Sequence, residues 1–247
     1  MKTQVLGFDI DTYTFSETLE VIDGFLKEDK LHVIFTPNPE NIMLARKDAE
    51  FREALKIADL SIPDGIGVVL ASKLNSVKIK ERVTGYDLAV AMLDRYKDSN
   101  SFYFFGAMPG VASKAKACME NQHKGLRVIG VSDGYFDEEK ERAIVEQINQ
   151  KKPDILFVGL NMGMMEKWVC KHRHELDVKV VLCFGGALDH FAGNKKRAPL
   201  FMRKLGLEWF YRLFTLKRLK RQKELWRFVA AVIKDKFRKK TAVKGEG

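Results

Sequence analysis

The 247-residue chain contains no apolar run near the roughly 20 residues a helix needs to cross a bilayer. Its opening stretch, Met1 to Asp11, has neither the basic start nor the apolar centre of a secretion signal. Together these absences predict a protein that stays in the cytoplasm. Cysteine is scarce: Cys118, Cys170 and Cys183 are odd in number, have no paired spacing and sit in segments that read as helix or strand. That excludes a disulfide framework and predicts reduced, buried thiols. The histidines form no metal set, because Cys170, His172 and His174 alternate at a spacing of two, which on a helix turns them away from one another. No repeat, low-complexity tract or flexible linker interrupts residues 1 to about 195.

What is present is an uneven charge. From Lys195 to the end there are 18 Lys and Arg against 4 Asp and Glu, whereas the preceding residues carry 25 against 29. A slightly acidic body therefore precedes a strongly basic tail, and the tail predicts a polyanionic partner: an anionic membrane, a nucleic acid or substrate phosphates. In the tail Leu225, Trp226, Val229, Val232, Ile233 and Phe237 share one helical face. An apolar face with flanking cations is the pattern of a helix in a membrane interface, which favours anionic lipid over nucleic acid. The expected organisation is an α/β catalytic domain over 1–195 and a basic, amphipathic helical appendage over 196–247, with a disordered end.

Within the body, "LHVIFT" (31–36), "IADLSI" (57–62), "FYFFG" (102–106), "LRVIGV" (126–131), "DILFVGL" (154–160) and "VKVVLCFGG" (178–186) read as strands, after a short first strand near Val5. Such continuous apolar runs suit a parallel sheet covered on both faces. Helices alternate with them. "TFSE" (14–17) is a capping box, Asn38 and Pro39 open a long helix, and others begin near Gly65, Gly85, Pro109, Asp137 and Met164. The alternation predicts a Rossmann-like α/β fold with a mainly parallel sheet.

Ligands of such sheets bind outside the carboxyl ends of the strands. The residues there are Thr36 and Asn38 in "TPNPE", Asp64 in "PDGIG", Gly106, Pro109 and Gly110 in "GAMPG", Met165 and Glu166 in "GLNMGMMEKW", and Gly185 and Gly186 in "GGALDH". "FYFFGAMPGVASKA" resembles a nucleotide-binding turn that opens a helix, but lacks both the G-x-G-x-x-G spacing and the P-loop lysine, which argues against a nicotinamide dehydrogenase and an ATPase. Asp9 and Asp11 form a D-x-D pair, yet it stands at the very start of the chain, beside the first helix cap, and no metal is expected there. Asp64 lies between Pro63 and Gly65, directly after a strand. It reads as a helix cap or as a catalytic carboxylate, and one side chain can be both.

"TPNPENIMLA", "SIPDGIGVV", "RVTGYDL", "FYFFGAMPGVA", "GYF", "PDILFVGL" with "EKW", "GGALDHFAGNKKRAP" and "LEWFYRL" follow one another in the order that resembles the WecG/TagA/CpsF family of bacterial glycosyltransferases, over residues 5 to about 221. The resemblance implies an inverting transfer of a sugar from a UDP-sugar to a lipid-diphosphate-linked acceptor at the inner membrane face, without cofactor or required metal. The best-described branch transfers N-acetylmannosamine to undecaprenyl-diphosphate-N-acetylglucosamine in teichoic acid synthesis; others use glucose or N-acetylmannosaminuronic acid. It implies Asp64 as general base with Thr36 beside it, Arg82 on the donor phosphates, and Arg212, Arg218 and Arg221 in an appendage that closes over the site. It also implies self-association that competes with membrane docking. An inverting transfer needs a base for the acceptor hydroxyl and cations for the departing diphosphate, and these residue types supply both. One stretch departs from the pattern: Asn161, Gly163, Met164 and Met165 replace the family's Gly, Pro, Lys and Gln, which removes a charge and an amide where the donor sugar is chosen. Two other readings are a different donor in capsule or exopolysaccharide assembly and a non-catalytic basic binding protein.

Overall fold

A computed structural model describes residues 1–204, 206–208, 210–211 and 219–244, and the side chains of these except 204, 219–222 and 239–244. In chain order the elements are the strands β1 (Lys2–Val5) and β2 (Phe8–Asp11), helix α1 (Phe15–Phe25), β3 (His32–Phe35), α2 (Pro39–Ala45), α3 (Ala49–Leu55), β4 (Leu60–Ser61), α4 (Ile66–Ser72) and α5 (Gly85–Tyr96). Then follow β5 (Ser101–Gly106), α6 (Val111–Gln122), β6 (Arg127–Ser132), α7 (Glu138–Lys151), β7 (Ile155–Gly159), α8 (Met164–His172), β8 (Val180–Cys183), α9 (Ala187–Phe191), α10 (Leu200–Lys204) and α11 (Leu219–Lys244).

β1 and β2 make a hairpin, and the other six strands form one parallel sheet in the order β4-β3-β8-β7-β5-β6. The expected Rossmann-like architecture is therefore present. Its apolar strands alternate between two cores. Ile34, Phe102, Phe104, Phe157 and Leu182 meet Leu88 and Met92 of α5 and Ala115 of α6 on one face. Val33, Phe35, Phe105, Val158 and Val181 meet Ile144 and Ile148 of α7 and Trp168 and Val169 of α8 on the other. Both faces being covered is why the strands read as unbroken apolar runs.

Two expectations change. The strand read over 57–62 shortens to β4, because side chains take its surroundings: Asp59 Oδ2 accepts the Val33 N–H at 2.9 Å and Asp11 Oδ2 the Ser61 N–H at 2.9 Å. The long helix from Asn38 is two, α2 and α3, because the Asp48 carboxylate caps a second start by accepting the Phe51 N–H at 2.9 Å. The Thr14–Glu17 capping box forms as expected, with the Glu17 carboxylate 2.7 Å from the Thr14 N–H.

The hairpin, α2, α4 and α11 share a third core in which Phe228 is 2% exposed against Ile42, Met43, Val68 and Val69. This divides the face predicted for the tail. Val232 packs inward and Leu225 is half-buried, whereas Trp226, Val229, Ile233 and Phe237 are 72, 40, 49 and 65% exposed. Among the described residues no helix is long and apolar enough to cross a membrane.

Candidate active site

The carboxyl ends of β4, β3, β8, β7 and β5 stand side by side, so the turns that follow them, Ile62–Gly65, Thr36–Asn38, Phe184–Gly186, Leu160–Gly163 and Ala107–Gly110, lie along one edge of the sheet, where open α/β folds have their ligand crevice. Thr36 is buried at the end of β3, where its hydroxyl donates to the Cys183 carbonyl at 3.1 Å. Gly85, first residue of α5, packs so closely that a Cβ there would stand 3.0 Å from Thr36 Cγ2. Asp64 follows on the next strand end, its N–H donating to the Pro37 carbonyl at 3.2 Å, which ties the two turns together.

Asp64 is half-exposed, and the cap position of α4 belongs not to it but to Gly65, at φ 96° and with no side-chain hydrogen bond. Only glycine holds that backbone readily, so the glycine rather than the aspartate makes the passage from turn to helix. The cap reading of Asp64 is corrected. Asn38 is a cap: its Oδ1 accepts from Glu40 and Asn41 at 2.8 and 3.0 Å, and so it shapes the turn beside Asp64.

Gly106, Gly159 and Gly185 bring three strand ends together. A Cβ on Gly106 would lie 2.4 Å from the Gly159 carbonyl oxygen and one on Gly159 2.9 Å from that of Gly185, so side chains are excluded there. Beyond Gly106 the turn through Pro109 is exposed, and α6 opens at Gly110, φ 81°, with no side chain capping it. This helix start borders a cavity of about 400 Å³ lined by Ser113, Ser132, Lys140 and Gln147, a setting that suits a phosphate or a sugar hydroxyl. Gly186 opens α9, likewise without a side-chain cap.

In the departing loop, Asn161, Met162 and Met164 are exposed, but Met165 is 5% exposed in the core with Phe35 and Trp168, and Glu166 is 2% exposed. Both Glu166 oxygens are taken by protein donors, at 2.9 Å from the Gly163 N–H and 3.2 Å from the Asn41 Nδ2. Burial pushes its carboxyl up to about 7, against the N–H groups that favour the charge. Met165 and Glu166 are thus supports behind the crevice, not faces of it.

Arg82 contacts the chain at and after α10. Its guanidinium donates to the Arg203 carbonyl at 3.1 Å and lies 3.9 Å from Glu208. Beside it Arg197 pairs with Asp87 at 2.6 Å and stacks 4.2 Å over Tyr86. Burial raises the Asp87 carboxyl, but hydrogen bonds from Arg197 and Thr84 outweigh it and hold the group below its ordinary range. The chain after α10 reaches the start of α4, two residues past Asp64: a Cβ on Gly206 would lie 3.1 Å from Ile66 Cγ1. Arg212 and Arg218 lie outside the described residues, as does the side chain of Arg221. Asn41, Asp87, Arg197 and Glu208 carry no local signal in the sequence: each stands inside one of the ordered motifs, but nothing near it in the chain assigns it a partner.

Asp9 is exposed and Asp11 buried, and among the described residues no His, Cys, Asp and Glu group is arranged to hold a metal. A groove of about 980 Å³ lies between the hairpin, α2–α3 and α11 and reaches Pro37 and Ser61 beside the strand-end turns; Lys2, Arg46, Arg52, Lys56, Lys234 and Arg238 line it.

The chain matches the glycosyl transferase WecG/TagA/CpsF family over residues 3–242. It is 34% identical over 228 residues, 92% of this chain and 87% of the relative, to the N-acetylglucosaminyldiphosphoundecaprenol N-acetyl-beta-D-mannosaminyltransferase of Bacillus spizizenii W23. The protein of the same name from Bacillus subtilis 168 is 34% identical over 211 residues, 85% of this chain and 82% of its own. That of Staphylococcus aureus MRSA252 is 32% identical over 245 residues, 98% of this chain and 96% of its own.

Proposed function

This chain belongs to the glycosyl transferase WecG/TagA/CpsF family, and from that we propose that it transfers N-acetylmannosamine, with inversion, from UDP-N-acetylmannosamine to N-acetylglucosaminyl-diphosphoundecaprenol. The observation that carries the mechanism is the position of Asp64, half-exposed after a strand end, tied by its N–H to the Pro37 carbonyl of the Thr36–Asn38 turn and followed by Ile66, which Gly206 approaches. The Asp64 carboxylate takes the proton of the acceptor hydroxyl as its oxygen bonds to the anomeric carbon. The bond from that carbon to the UDP oxygen breaks on the opposite side, and its electron pair leaves with the diphosphate. Thr36 orients the reacting groups. Arg82 and the arginines of the appendage stabilise the diphosphate charge, and the open N-terminus of α6 and the Gly185–Gly186 turn hold donor oxygens by backbone N–H groups.

The relatives' names support the acceptor and the sugar. The exposed Met162 and Met164 support a test against UDP-glucose and UDP-N-acetylmannosaminuronic acid, because the loop that meets the sugar has lost a charge. We assign membrane docking to the exposed apolar stripe of α11 and its flanking cations, which would place the enzyme on the inner membrane face. The decisive experiment is transfer to a short-chain lipid-diphosphate acceptor, followed by mass spectrometry, for the wild type and Asp64→Asn. The expected result is a loss of ~100-fold or more in kcat with UDP binding retained. An Asp64→Asn enzyme of ordinary rate would remove Asp64 from the role of base.

A further inference from the structure

Asn41 and Glu166 are 3 and 2% exposed and lie 125 residues apart, yet they form one hydrogen-bonded line beneath the crevice. Asn41 Oδ1 accepts the Asn38 N–H at 3.2 Å, which leaves its Nδ2 to donate to Glu166 Oε1 at 3.2 Å. Glu166 Oε2 in turn accepts the Gly163 N–H at 2.9 Å. The line therefore runs from the turn after Thr36 to the loop after β7, on strands that flank β8 in the sheet. Two contacts keep its ends in place. A Cβ on Gly163 would stand 3.3 Å from Leu44 Cδ2 of α2, and Lys167 Nζ lies 2.9 Å from Asp48 and 2.7 Å from Glu50 at the start of α3.

Apolar side chains of the same volume would join α2 to α8 without the cost of burying a carboxyl group. What a directed amide–carboxylate pair adds is orientation: one arrangement satisfies all four groups, and any slip of the loop leaves a buried donor without its acceptor. We infer that Asn41 and Glu166 are positioning residues that set the Asn161–Met165 loop against the Thr36–Asp64 side of the crevice, and so fix the room available to the donor sugar. Neither touches substrate; both act through the loop. The inference rests on the transferase reading above.

The test reverses the pair. Asn41→Ala removes the donor and, at pH 8 where Glu166 is ionised, Glu166→Gln turns an acceptor into a donor facing another donor. In the double variant Asn41→Asp/Glu166→Gln, the amide introduced at position 166 donates to the carboxylate introduced at position 41, while its carbonyl still accepts from Gly163. The line is thereby restored in reverse. Each single variant is expected to raise the KM for the UDP-sugar about fivefold or more with kcat little changed, and to speed amide hydrogen exchange across residues 161–166 about tenfold, at a melting temperature within a few degrees of wild type. The double variant is expected to recover most of both. Unchanged KM and exchange in the singles, or a double variant no better than the worse single, would overturn the inference. Should a single variant fail to fold, the double still decides it, by folding with a protected loop or not. A wild type that transfers none of the sugars offered would instead count against the transferase reading, and the exchange pattern would still decide the clamp.

Discussion

Two carboxyl groups near the strand ends are treated oppositely by their surroundings. Gly65 takes the helix-cap position and leaves Asp64 half-exposed on its turn, whereas Glu166 is enclosed and its proton held until about pH 7. The enclosure has a signed consequence. A folded-state value near 7 against an ordinary value of 4.5 means the folded protein keeps a proton that the unfolded chain has released between those pH values. This contribution to stability is present below pH 4.5 and is lost as pH rises to about 7, a total of roughly 3 kcal/mol at about 1.4 kcal/mol per pH unit. Urea unfolding of wild type and Glu166→Gln at pH 5 and pH 8 checks this: the difference in stability between the two proteins should shift across that interval in favour of the Gln variant. Parallel curves would show that the carboxyl titrates outside it.

At the scale of elements, the contact of the chain after α10 with α4 rests on a helix end. α10 stops in a Schellman motif, with the Leu207 N–H donating to the Met202 carbonyl at 2.8 Å and the Gly206 N–H to that of Arg203 at 3.1 Å. Gly206 stands at φ 72° and meets Ile66 at the start of α4, while the Arg203 carbonyl also takes Arg82. One glycine thus terminates a helix and lets the following chain approach the start of α4. Gly206→Ala forces a Cβ into both the left-handed backbone and the Ile66 contact, at a cost of about 1–2 kcal/mol. Its expected signature is a lower melting temperature, faster proteolysis of the appendage and slower transfer. An Ala variant with wild-type proteolysis would show that the contact does not depend on this turn.

For the whole molecule, α11 is two-sided. Phe228 and Val232 hold it to α2 and α4, and Lys47 pairs with Glu224 at 3.0 Å, so one side is committed to the body. The stripe of Trp226, Val229, Ile233 and Phe237 remains outward, flanked by Lys223, Arg227, Lys234, Lys236 and Arg238. Attachment to anionic vesicles should therefore combine apolar insertion with charge attraction. In flotation, Trp226→Ser/Ile233→Ser/Phe237→Ser should lose binding at any salt, whereas the wild type should weaken as salt rises and bind neutral vesicles poorly. Binding to RNA without binding to anionic vesicles would favour the basic tail as a nucleic-acid surface instead.

Strand and helix alternation, the capping box at Thr14, the excess of cations after Lys195 and the turns at the strand ends were all readable locally, because each depends on residues within a few positions of one another. Continuous apolar runs also showed that the strands are covered on both faces. What neighbours in the chain do not contain is which distant group completes a bond. That Asn41 meets Glu166, that Asp87 and Glu208 share Arg197, and that Gly206 lies on Ile66 depend on the order β4-β3-β8-β7-β5-β6 and on where the tail returns. The same holds for corrections. Asp64 and Gly65 compete for one cap position, and Leu225 and Trp226 for one helix side; only packing chose between them. The strand–helix alternation, the fold class and the family are carried by local chemistry and ordered motifs, whereas the bounds of β4 and the break between α2 and α3 depend on side chains brought in by the fold. Which carboxyl group is half-exposed and which is enclosed follows only from the tertiary structure, since burial is a property of the assembled sheet.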